Sequence, residues 1–111
     1  MMETIKQDEK LKKAIATLKR EFNPTRLFLF GSQASGQATS QSDYDFVVVV
    51  KHTDSGRLEN MARARKLLHL EADISADVFV YPELEFNEWK DEFSSIPETA
   101  INTGIEIPVN E

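Results

Sequence analysis

The 111-residue sequence has no cysteine. That excludes disulfides, thiolate metal sites and cysteine nucleophiles, and leaves carboxylates and histidines as possible metal ligands. No apolar run approaches the length of a membrane span, and residues 1–13 lack the apolar stretch that a secretory signal needs, so the expected location is cytoplasmic. Positive charge is also short: 13 Lys and Arg against 19 Asp and Glu give a formal net charge of −6. Affinity for a long nucleic acid comes largely from clustered basic residues, so such a substrate is disfavoured. No internal repeat, low-complexity tract or linker divides the chain, and residues 1–111 are expected to form one domain with little room for a second substrate-binding module. The hydrophobic content of 41% and charged content of 29% suit a globular fold with a buried core.

The secondary-structure signals alternate. Between residues 3 and 22, Leu11, Ile15, Leu18 and Phe22 recur at helical spacing, and Asn23 with Pro24 ends the helix. Leu27, Phe28, Leu29 and Phe30 form a short apolar run in 26–30 that reads as a first strand. Residues 31–42 show no hydrophobic periodicity and read as a loop or one helical turn. Phe46 and the four valines after it predict a strand over 44–50, and their unbroken apolarity implies cover on both faces.

A second amphipathic helix is expected over 57–70, with Leu58, Met61, Ala64, Leu67 and Leu68 between basic residues. Asp77 to Tyr81, stopped by Pro82, reads as a third strand. Phe86, Trp89 and Phe93 suggest a short helix laying an aromatic face on the core. Ser95 can cap a last helix with Pro97 in its first turn and Gly104 just past its end. The expected fold class is therefore α/β, in the α+β sense, with a small mixed sheet flanked by helices.

Successive strand residues point to opposite faces, so Asp43 and Asp45, two apart at the start of the second strand, project the same way. Two like charges about 4 Å apart repel by roughly 1 kcal/mol in water and about 4 kcal/mol near a protein surface. A magnesium ion held by one or two carboxylates, waters and substrate phosphates would neutralise them. Taken alone, the pair also fits a turn closed by Ser42 and Asp43 with Asp45 solvated. Gly31 and Ser32 directly follow the first strand and can set backbone N–H groups and a hydroxyl beside an anion. If the first two strands are antiparallel, Ser32 comes close to Asp43 and Asp45. Gly31 and Gly36 have the separation of a P-loop, but Gln37 and Ala38 replace the Lys and Ser or Thr that this motif requires, so a P-loop NTPase is rejected.

The run Leu29, Phe30, Gly31, Ser32, ten intervening residues, then Asp43, Tyr44 and Asp45 resembles the signature of the polymerase-beta-like nucleotidyltransferase superfamily. More narrowly, the chain resembles a minimal nucleotidyltransferase, from about residue 11 to residue 107. The resemblance implies a third carboxylate on a later strand, matched by Asp77, with Asp73 as a competitor placed before the strand. It implies catalytic and metal-binding roles for Asp43, Asp45 and Asp77, nucleotide binding by Gly31, Ser32, Asp43 and Asp45, and two Mg2+ ions with ATP as substrate. Asp77 is the expected base. Gln33 and Ser35 stand where this family often carries arginine, which leaves the triphosphate clamp and nucleotide choice open.

The same resemblance implies a partner, a HEPN-type ribonuclease toxin, whose tyrosine would receive AMP from this chain acting as antitoxin. A non-catalytic antitoxin that blocks by binding and a small-molecule, aminoglycoside-type nucleotidyltransferase are the alternatives. The basic residues Arg57, Arg63, Arg65 and Lys66 suit either a solvated helix face or a local patch for a phosphate or an acidic protein surface. His52 and His69 have no second histidine at ligand spacing and are expected to be structural or solvated.

Overall fold

The computed structural model describes residues 8–36 and 43–109. The expected helix start at Glu3 and the residues Gln37, Ala38 and Ser42 lie outside them. Helix α1 spans Glu9–Phe22. Its Asp8 cap accepts a hydrogen bond from the Leu11 backbone N–H at 3.0 Å, and Asn23 ends it in the left-handed conformation. Leu11, Ile15 and Leu18 are buried, as their spacing predicts, while Phe22 is half-buried.

Strand β1 (Arg26–Phe30) leads into α2 (Ser32–Ser35), a single turn, and then β2 (Tyr44–Val50). Helix α3 (Arg57–Ala72) is the crossover that lets β3 (Ala76–Pro82) run parallel to β2. Two short helices follow, α4 (Glu83–Trp89) and α5 (Ile96–Thr103), before β4 (Ile105–Glu106). Ser95 caps α5 by accepting from the Glu98 N–H at 3.2 Å. The two-residue β4 was not expected as a strand, because its pairing with Phe28 and Leu29 of β1 is set across the fold and not by local propensity.

The sheet order is β3-β2-β1-β4, with β1 antiparallel to both β2 and β4. One face packs against α1 and α3, where Leu11, Leu18, Ala64 and Leu68 meet Leu27, Leu29, Phe46, Val48, Val78 and Val80. The other face packs Phe28, Val47, Val49 and Tyr81 against Phe86 of α4 and Ala100 of α5. The fold is thus α+β with a mixed four-stranded sheet flanked by helices, and β2 is covered on both sides as its unbroken valine run predicts. Among the described residues, no helix is long and apolar enough to cross a membrane.

Two expectations of packing need correction. Only Phe86 of the proposed aromatic stripe is buried, since α4 ends at Trp89; the chain then turns through Ser94 at φ 64°, leaving Trp89 47% and Phe93 91% exposed. Helix α3 buries Asn60, Ala64, Leu68 and Ala72, so Leu58 lies outside its packing face. Asn60 is held there by donating to the Thr53 hydroxyl at 3.1 Å, which lets a polar side chain take an inner position.

Candidate active site

The register of the sheet assembles a row of acidic side chains at one end. Asp45 on β2 is paired with Phe30 of β1 on one side and with Asp77 of β3 on the other. Residues in register on neighbouring strands point to the same face. That face is the one packed on α4 and α5, since Val47 and Tyr81 follow Asp45 and Asp77 at even spacing. Asp43, directly before β2 and exposed, shares this parity.

The electrostatics agree with the geometry. The Asp45 carboxyl is pushed above its ordinary value by partial burial first, then by the charge of Asp77, then by that of Asp43. Asp43 and Asp77 are therefore each within electrostatic reach of Asp45. Asp73 is not among them: it caps α3 in the left-handed conformation and pairs with Lys10 at 3.2 Å in the link before β3.

Gly31 lies against this row. Its φ of 76° and ψ of −156° fall in a region open essentially to glycine alone, and a Cβ there would stand 2.5 Å from Oδ2 of Asp45. The turn of α2 closes on it, with the Ala34 and Ser35 N–H groups donating to the Gly31 carbonyl, each at 3.1 Å. Ser32 opens that turn, one residue beyond the contact. Tyr44, between the two aspartates, points to the opposite face and donates its hydroxyl to Oδ2 of Asp8 at 2.8 Å. Burial and this acidic partner push its pKa up to about 12, so it stays a neutral donor tying β2 to the start of α1.

The arrangement matches a family. The model of the nucleotidyltransferase domain fits residues 10–105. The chain belongs to this nucleotidyltransferase family. No curated protein and no solved structure matches it. The activity class that membership supports is transfer of a nucleotidyl group.

In this nucleotidyltransferase the donor chemistry of Asp43, Asp45 and Asp77, three hard carboxylates, fits magnesium. Their side chains are not drawn together as a finished cage, however: among the described residues no group of three or more His, Asp or Glu side chains is placed to hold a metal ion. Asp77 is engaged elsewhere, its Oδ1 accepting from Nη1 of Arg65 at 3.0 Å. This pair was not legible in the sequence, where Arg65 stands in a basic run on α3.

That run does not form one patch. Arg57 pairs with Glu85 and lies 4.5 Å over the Tyr81 ring, Arg63 lies 4.7 Å over Phe22, and Arg65 turns to Asp77. His69 is exposed on α3. His52 is also exposed, and with Lys51, Phe22 and Val109 it lines a cavity of about 490 Å³ at the end of β2 away from the acidic row.

Proposed function

We propose that this chain is a metal-dependent nucleotidyltransferase that transfers AMP from ATP to a hydroxyl, with a tyrosine of a HEPN-type ribonuclease as acceptor. Modification of that residue neutralises the ribonuclease, so the chain acts as its antitoxin. The carrying observation is the register of Asp45 with Asp77, with Asp43 two residues before, and the raised proton affinity of Asp45 that partial burial and these two neighbouring carboxylates produce.

The reaction follows from the parts. The acceptor oxygen attacks the α-phosphorus of ATP, the bond from that phosphorus to the β-phosphate bridge breaks, and pyrophosphate leaves. Asp43, Asp45 and Asp77 would hold two magnesium ions, which when bound lower the acceptor's pKa and neutralise the leaving charge. Gly31 brings its backbone against Asp45 with no side chain between, and Ser32 orients the phosphates beside it. Asp77, at the outer strand, serves the acceptor side and receives its proton.

A second reading, an antitoxin that binds without transfer, draws on the engagement of Asp77 by Arg65. One experiment separates the two: intact mass of the HEPN-type partner after incubation with this chain, ATP and Mg2+. Addition of one AMP or more, lost when Asp43 or Asp45 is replaced by Ala, supports transfer. A tight complex whose partner keeps its mass refutes it.

A further inference from the structure

The acidic row and its neighbour α3 are linked by one side chain. β3 is an edge strand, Ala76 and Val78 face α3, and Asp77 between them faces the other way. Arg65 sits beside Ala64, which packs on that inner face, yet its guanidinium reaches round the open edge to Oδ1 of Asp77. Between the two elements is a cavity of about 100 Å³ lined by Met61, Ala62, Arg65, Ala76, Asp77 and Val78.

We propose that Arg65 is a positioning residue that holds Asp77 as a stand-in cation and yields it when a divalent ion binds the row. This rests on the reading of Asp43, Asp45 and Asp77 as metal ligands, and it accounts for Asp77 standing in register with Asp45 while its carboxylate is held by Arg65. Two like charges in register on adjacent strands repel, and a fixed guanidinium beside one of them relieves that repulsion in the metal-free chain. The Arg65 and Asp77 side chains are 58% and 37% exposed, so water competes for both groups and the pair is readily exchanged.

The exchange makes metal affinity a competition between Arg65 and the ion for one carboxylate. It is tested by calorimetric titration of Mn2+ into four proteins: wild type, Arg65→Gln, Asp77→Asn and the double variant. Arg65→Gln should bind Mn2+ about fivefold tighter than wild type, a fold-change typical of directly interacting neighbours. In the Asp77→Asn background the same substitution should change affinity by less than about twofold, because the contested carboxylate is gone. A fifth protein, the control Arg65→Lys, which keeps the charge, should stay near wild type. In EDTA, Arg65→Gln should melt below wild type.

An unchanged Mn2+ affinity in Arg65→Gln overturns the proposal. So does an equal gain in both backgrounds, which would mean a general field and no exchange at Asp77. Failure of all four proteins to bind Mn2+ would sink the metal-site reading and this proposal together, whereas binding that ignores Arg65 sinks this proposal alone.

Discussion

On the face covered by α1 and α3, Phe46, Val48, Val50, Ala76, Val78 and Val80 are buried; on the opposite face the same strands carry Asp45 and Asp77, both half-buried. The lengths of the helices account for the contrast. α1 and α3 have 14 and 16 residues, about 21 to 24 Å at 1.5 Å per residue. The seven-residue strands β2 and β3 are about 23 Å long. The long helices can therefore cover most of the length of the strands. α4 and α5, with seven and eight residues, reach only about 10 to 12 Å each, and the strand starts beyond them stay open. A polar row survives there because its solvent has not been replaced by a helix.

The neighbours Asp45 and Phe46 test this contrast most directly, since they point to opposite faces. Phe46→Ala should cost about 3–5 kcal/mol in denaturant unfolding, the usual loss for a buried phenylalanine. Asp45→Ala should leave the fold intact and lower the rate of AMP transfer by about 10³-fold, the equivalent of the several kcal/mol that a metal site contributes. Transfer near the wild-type rate in folded Asp45→Ala would remove Asp45 from the site.

A next-largest effect concerns ligand-linked stability. Magnesium and ATP at about a hundred times the dissociation constant should stabilise the wild type by roughly 2.7 kcal/mol, an increase that a thermal scan resolves easily, and Asp45→Asn should lose most of that gain. The metal-free comparison has its own sign. Asp45 has a folded pKa above its unfolded one, so the folded state binds more protons in the interval between them and its ionisation costs stability above that interval. Asp45→Asn should therefore melt at or above the wild type at neutral pH, with the margin closing as the pH falls towards about 4. Equal ligand-induced shifts, or a margin that widens in acid, would contradict the clustered row.

Gly31→Ala should destabilise the chain by about 1–3 kcal/mol, because alanine is disfavoured at this φ and ψ, and should also weaken ATP binding, because the new methyl displaces the Asp45 carboxylate. Stability and nucleotide affinity measured on the same preparation check both parts. Smallest is Tyr44→Phe, which removes the hydrogen bond to Asp8 on the covered face. It should cost about 1 kcal/mol and leave AMP transfer unchanged. A large loss of transfer in that variant would mean that the two faces are not independent.

The helices and strands were legible because local rules govern them: Leu11, Ile15 and Leu18 keep helical spacing, the valines of β2 form an unbroken run, and Ser95, Pro97 and Gly104 mark the bounds of α5. Sequence order also put Asp43 and Asp45 on one face, since strand alternation needs only their spacing. Trp89 and Phe93 misled, because helical spacing says nothing about where a helix stops. Which residues of the basic run would be drawn away from one another was equally invisible, for Arg57, Arg63 and Arg65 take partners on three different elements.

What the sequence determined by itself was therefore the alternation of elements and the parity of two aspartates, both consequences of short-range geometry, together with the resemblance to the nucleotidyltransferase signature. Tertiary structure alone decided the rest. The parallel register of β2 with β3 sets Asp77 beside Asp45, the antiparallel register with β1 brings Gly31 against the same carboxylate, and the packing of α3 carries Arg65 round the sheet edge. Each of these contacts joins residues that lie 12 or more positions apart, where pairing and packing fix the distance and local chain preferences do not reach.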